Sequence, residues 1–127
     1  MGKNFRDTKQ RAAILVTLTN ADHPLTPKEI LERASAAAPG LGIATVYRNI
    51  KLLLDNKEIE AIEVPGHRTC YMLPQGSQRT LVVCRDTNQV HLAEGVDFKI
   101  QHDRLPKGFQ AEEIEIFIYG RFANEES

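Results

Sequence analysis

Apolar positions follow the helical period through the first 55 residues and then switch to alternation. Ile14, Leu15 and Leu18 share one side of a predicted first helix. It opens near Thr8, whose hydroxyl can cap first-turn amides, and stops at Ala21-Asp22-His23-Pro24. Thr26-Pro27-Lys28-Glu29 is a capping box with proline at the first helical position, so a second helix starts there. Ile30, Leu31 and Ala34 give it a narrow apolar stripe, and Pro39-Gly40 ends it. A third helix is predicted from Ile43 to Asp55. Ile43, Val46, Ile50, Leu53 and Leu54 form its buried face, while Ala44, Thr45, Arg48, Lys51 and Asp55 turn outward. Asn56 is a suitable left-handed terminator.

Beyond Asn56 the alternation of Ile59 to Val64 and of Thr69 to Leu73 predicts two strands, joined by the turn Pro65-Gly66-His67-Arg68. Three helices and a hairpin with a basic tip outline a winged helix, over residues 1–74. A linker, 75–79, leads to a second region, 80–122, with 123–127 as a disordered tail. In that region Leu81-Val82-Val83-Cys84, Val90-His91-Leu92 and Ile114 to Tyr119 read as strands, and 96–104 fits a strand or a short helix. The whole is α+β: a winged helix followed by a small α/β domain. So few strands bury little surface alone, which predicts pairing with a second copy.

Composition narrows the function classes. With 42% hydrophobic and 26% charged residues, the chain reads as globular. No apolar stretch nears the roughly 20 residues that span a bilayer, and no apolar segment follows the charged start, so neither membrane nor export is expected. Cys70 and Cys84 are too few for a disulfide scaffold and read as reduced thiols of a cytoplasmic protein. Charge is uneven. Residues 1–57 hold nine Lys or Arg against five Asp or Glu, an excess of four positive charges, although the chain as a whole is −1. A basic front joined to an acidic remainder suits a polyanion-binding module. Enzyme chemistry finds no support: there is no Gly-rich phosphate loop, no paired carboxylates in an apolar setting and no oriented Cys/His pair. No small-molecule substrate is indicated.

A helix fits the major groove of B-DNA, and polar side chains on its outer face reach base edges and phosphates. Thr45, Arg48 and Asn49 supply donors and acceptors on or near that face, and Tyr47 sits at its apolar border. Arg68, beside His67, marks the wing tip.

Gly42-Ile43-Ala44-Thr45-Val46-Tyr47-Arg48-Asn49-Ile50 resembles the recognition-helix signature of the ferric uptake regulator family. Thr8-Lys9-Gln10-Arg11 and His23-Pro24-Leu25-Thr26-Pro27-Lys28-Glu29-Ile30 resemble the starts of its first two helices, and Tyr119-Gly120 its closing strand. The similarity is good over 5–73 and thin over 78–122. It implies a homodimeric winged-helix regulator, usually a repressor, acting on double-stranded DNA. By this resemblance Tyr47 and Thr45 contact bases, Arg48 and Arg11 contact phosphates, and Arg6 enters the minor groove, where arginine suits a narrow electronegative channel.

The resemblance also implies structural zinc on two Cys-x-x-Cys pairs and a sensory metal on His and carboxylate ligands. Here the chain departs. Thr87 stands where the partner of Cys84 is expected, Gln78-Arg79-Thr80 replaces a His-rich stretch, Met72 replaces an acidic ligand, and Ile114 a histidine. Gly120-Arg121-Phe122-Ala123 holds no final cysteine pair. His23, His67, Cys70, Cys84, His91 and His102 are too scattered to rebuild a site, so no metal cofactor is expected and regulation should not follow the usual metal route. An alternative class is a winged helix that has lost DNA and binds protein. Retention of Arg6, Arg11, Thr45, Tyr47 and Arg48 favours DNA.

Overall fold

The computed structural model describes residues 2–76, 78–96 and 98–123. The chain divides into two compact units, Met1–Pro74 and Gln75–Ser127. The tail expected from 123 falls, apart from Ala123, outside the described residues. No described helix is long and apolar enough to cross a membrane.

The first unit is three helices and a hairpin: α1 (Gly2–Asn20), α2 (Pro27–Ala34), α3 (Ile43–Asp55), β1 (Glu60–Ile62) and β2 (Cys70–Met72). Helix α1 begins at Gly2, earlier than the sequence predicts, because nothing between Gly2 and Thr8 breaks a helix. Thr8 is therefore an exposed mid-helix residue rather than a cap. The capping box at α2 forms as read: Glu29 N–H donates to Thr26 Oγ1 at 3.2 Å, and Thr26 N–H donates to Glu29 Oε1 at 2.9 Å. Along α3 the buried stripe is Val46, Asn49, Ile50 and Leu53. Two residues differ from prediction. Ile43, on the first turn, is 43% exposed, and Asn49 takes an inward position. The left-handed residue that ends α3 is Lys57 (φ 60°), one beyond Asn56.

Ile14, Leu18, Leu25, Ile30, Val46, Ile50 and Leu53 make the core of this unit. Such burial of apolar side chains, at about 25 cal/mol per Å², is the main force holding three short helices together. The hairpin is antiparallel with Glu60 opposite Met72 and Ile62 opposite Cys70. Cys70, Met72, Ile62 and Val64 point inward and anchor it. Gly66, at φ +79°, makes its turn. A short bridge extends the sheet: Leu25 and Tyr71 exchange backbone hydrogen bonds of 3.0 and 2.8 Å.

The second unit is a three-stranded sheet of order β4-β3-β5, with β3 (Gln78–Cys84), β4 (Val90–Leu92) and β5 (Ile114–Gly120). β3 runs antiparallel to β4 and parallel to β5, with Arg79 opposite Glu115 and Leu81 opposite Phe117. β3 takes in Gln78 and Arg79, which the sequence assigns to a linker. Parallel pairing requires a crossover, here 93–113, whose only helical part among the described residues is the 3-10 turn His102–Arg104. Leu81, Val83, Cys84 and Val90 are buried. β5, the most regular strand in sequence, instead keeps Ile118 and Tyr119 exposed at the sheet edge.

Candidate nucleic-acid interface

Gly42, extended at φ −112° and ψ 165°, leads the chain into α3 without a side-chain cap. Thirteen residues at about 1.5 Å each give a rod of roughly 20 Å, long enough to lie along a major groove. Of the residues the sequence assigns to DNA, Tyr47 and Arg48 project outward from this rod, Tyr47 being 55% exposed. Thr45 is half-buried.

Asn49 requires a correction. Its side chain is 3% exposed, so it does not offer its amide to a base edge. The amide is engaged on both sides: Nδ2 donates to the Thr45 carbonyl at 2.9 Å, and Oδ1 accepts from Arg11 Nε at 3.1 Å. An inward polar group must be hydrogen-bonded to be tolerated, and here the partner is a cation on α1. The link holds the half-buried Arg11 guanidinium against α3. Asn49 is thus a positioning residue for Arg11. Arg6 is exposed and carried by the continuous α1 helix, not by a loose terminus. A Cβ placed on Gly40 would lie 3.8 Å from its Nη2, so Arg6 reaches over the loop preceding α3.

Arg68 is exposed on the wing. Between the wing and the starts of α2 and α3 lies a groove of about 780 Å³ lined by Lys28, Ile43, Tyr47, His67, Arg68 and Tyr71 among others. Sequence reasoning missed Lys28 and Tyr71 as parts of this surface, since they join it only through the Leu25–Tyr71 bridge. Ile43, exposed on the first turn of α3, also lines the groove. Burial, followed by the nearby Tyr47 hydroxyl, Glu63 and Cys70, raises the Tyr71 pKa. Its phenol therefore stays neutral at physiological pH and does not repel phosphate. Cys70, beneath the wing, is pushed up to about 11 by burial and then by Glu29, so its thiol stays protonated. Cationic groups, an aromatic and an outward helix face on one side of the unit make a surface suited to a duplex.

The profile of the ferric uptake regulator family matches residues 2–119. This chain belongs to that family. Its members are transcription regulators, not enzymes. A ferric uptake regulation protein of Campylobacter jejuni is 31% identical over 85 residues, covering 65% of this chain and 54% of the relative. The chain thus spans about half the length of the curated relatives it matches. The C. jejuni peroxide stress regulator superposes with a TM-score of 0.73 at 21% identity, over 98% of this chain and 93% of the other. For the Helicobacter pylori ferric uptake regulator the TM-score is 0.69 at 17% identity, over 88% and 77%. These structures show the shared fold, the winged helix and α/β domain that the sequence predicts.

One sequence expectation is overturned. No metal cofactor is predicted, yet the H. pylori relative is described with three functional metal-binding sites. The ferric uptake regulator of Francisella tularensis (TM-score 0.68, 24% identity, over 90% of this chain and 89% of the other) was solved with iron. Metal chemistry therefore belongs to the family. The described residues, however, bring no three His, Cys, Asp or Glu side chains together in a metal-holding group. At Cys84 the group facing the sulfur is Thr87, whose hydroxyl, with the Thr87, Asp86 and Phe122 amides, lowers the thiol pKa by hydrogen bonding. His91 stacks edge-on against Phe122 at 5.5 Å, and His23 Nδ1 lies 2.9 Å from the Pro24 carbonyl. This donor set does not fit a centre of the usual family type.

Proposed function

We propose that this chain is a sequence-specific, double-stranded-DNA-binding transcription regulator that works in the cytoplasm as a homodimer and represses by occupying its operator. The observation that carries the reading is the outer face of α3, where Tyr47 and Arg48 project beside the groove lined by Lys28, His67 and Arg68. Helix α3 enters the major groove with Thr45 and Tyr47 at base edges. Arg48 and Arg11 neutralise phosphates on either side, and Arg11 arrives pre-oriented by Asn49. Arg68 follows the backbone from the wing, and Arg6, at the start of α1, is placed for the adjacent minor groove. Phosphate contacts position the unit, and base contacts choose the site.

Dimerisation is supported by the apolar surface of the second unit. Ile118 and Tyr119 on edge strand β5, with Phe109 and Phe122, are exposed. A monomer rarely leaves so many large apolar groups in water. A twofold pair of winged helices reads two half-sites, and an occupied operator excludes polymerase. Because the donor groups do not match the ligand set usual in the family, we place the regulatory input elsewhere than in that set.

Selection from a random duplex pool tests the reading. The full chain should enrich a twofold-symmetric sequence, and Tyr47→Ala with Arg48→Ala should abolish the enrichment while the protein stays folded. An unchanged enriched sequence in the double variant would remove α3 as the reading element.

A further inference from the structure

The groove beside α3, at about 780 Å³, falls within the range of small-molecule sites, about 300–1,000 Å³. Its walls are built from three pairs of residues. Lys28 and Leu31 stand three apart on α2, and Ile43 and Tyr47 four apart on α3, so each pair shares one helix face. Thr69, just before β2, and Tyr71 within it are alternate residues, and Cys70 between them turns the other way into the core. Six side chains thus border one space.

Most of that lining is apolar or aromatic. Tyr47 is close enough to Tyr71 to raise its pKa, so the two phenols border the same space. Leu31 and Ile43 join them. Such a lining favours a flat apolar group, since aromatic rings pair offset or edge-on. Lys28 adds one cation. It is exposed and makes no side-chain hydrogen bond or ion pair among the described residues. No Asp or Glu is among the described residues that line the groove. Glu63, which also acts on Tyr71, follows β1 in the hairpin, so an anionic group belongs at the α2 wall with Lys28. A free phosphate would leave the rings unused, and a divalent metal finds no three ligating side chains together. An aromatic ring bearing one carboxylate uses both parts of the lining.

We propose that this groove binds a small aromatic carboxylate, its ring between Tyr47 and Tyr71 and its carboxylate on Lys28, and that the bound acid displaces DNA by covering Tyr47. The displacement, but not the binding, rests on the DNA reading above. It places a regulatory input on the reading helix itself.

Proton NMR of the full chain tests the binding, with benzoate, 4-hydroxybenzoate, phenylacetate and indole-3-acetate as probes. The chain has three tyrosines. At least one probe should shift the ring signals of Tyr47 and Tyr71 and leave Tyr119, in the second unit, unmoved. The matching amide should bind about fivefold more weakly, the upper end for an exposed charge pair. Acetate, which lacks the ring, should cause no shift. Lys28→Gln, at an exposed position, should weaken the acid to the level of its amide and leave the amide unchanged. In a duplex titration, the acid at about ten times its dissociation constant should weaken DNA binding about tenfold by competition. No shift from any probe at about 10 mM, an amide as tight as its acid, or an affinity indifferent to Lys28→Gln would overturn the site. An acid that binds without weakening DNA would overturn the displacement. A chain that takes the acid but selects no duplex would uphold the site and remove the DNA reading instead.

Discussion

Asn49→Ala isolates the step from core packing to DNA binding. The side chain is buried and holds two partners, the Thr45 carbonyl at 2.9 Å and Arg11 Nε at 3.1 Å. A hydrogen bond to a charged group contributes about 1.5–3 kcal/mol. Arg11 is only half-buried and recovers water once released, so the lower end applies. Alanine also returns up to about 0.7 kcal/mol of helix propensity. The net expectation is a loss of about 1 kcal/mol, lowering the melting temperature of a unit this size by roughly 4–8 °C. On DNA the larger effect is on Arg11. Freed from Asn49, its side chain regains rotamer entropy that must be lost again at the phosphate, up to about 2 kcal/mol. Affinity should fall about tenfold, equally for the selected site and for random duplex, because a phosphate contact carries no sequence information.

The assay is a double-mutant cycle of Asn49→Ala and Arg11→Ala, read by urea unfolding and by DNA titration at several salt concentrations. Residues in direct contact should show a coupling of about 0.5–3 kcal/mol in both measurements. Arg11→Ala should reduce the magnitude of the salt slope by about 0.9, one phosphate, and Asn49→Ala added to it should change little more. Additivity within about 0.5 kcal/mol would refute the positioning role. A loss confined to one base position would refute it as well, since that outcome makes Asn49 a reader.

Further predictions concern other residues. Thr26→Ala removes the hydroxyl that accepts from Glu29 N–H, leaving the backbone half of the α2 capping box, and should lower stability by about 1 kcal/mol, seen as a shifted urea midpoint with unchanged slope. Cys70, raised from 9.0 to about 11 in the folded state, stabilises fully below pH 9 and loses that contribution as pH rises through 11. Discounted for partial exposure, this is on the order of 1 kcal/mol, and Cys70→Ala should flatten the decline in an alkaline unfolding series. Ile118→Glu places a charge on the edge strand and should convert the proposed homodimer to monomer in sedimentation, while a dimer of unchanged strength would move the interface elsewhere.

The helices and the wing are legible because their signals are local. Thr26-Pro27-Lys28-Glu29 specifies a helix start through contacts three residues apart, and Ile62, Val64, Cys70 and Met72 bury alternate side chains as a strand must. The start of α1 is not legible, because an exposed helical turn leaves no apolar period. Nor is the β3–β5 pairing. A parallel ladder joining residues more than 30 positions apart is fixed by the packing of Leu81 and Val83, and no short-range pattern encodes it. Ile114 to Tyr119 alternate well enough to announce a strand, but alternation does not say which face meets a core and which meets another chain.

At the candidate site the same division separates Arg48 from Asn49. Neighbours on one helix, both polar, they are equivalent to any reading that assigns polar residues outward. Position decides between them: Asn49 falls three residues after Val46 and four before Leu53, inside the apolar stripe, where a polar side chain is tolerated only with partners. One partner is the Thr45 carbonyl a turn earlier, and the other is Arg11, 38 residues upstream. An asparagine inside an apolar stripe therefore signals a buried connection, and an arginine on another helix is the kind of group able to complete it. Taken this way, the pattern that turns Asn49 into the core is also what holds Arg11 against α3.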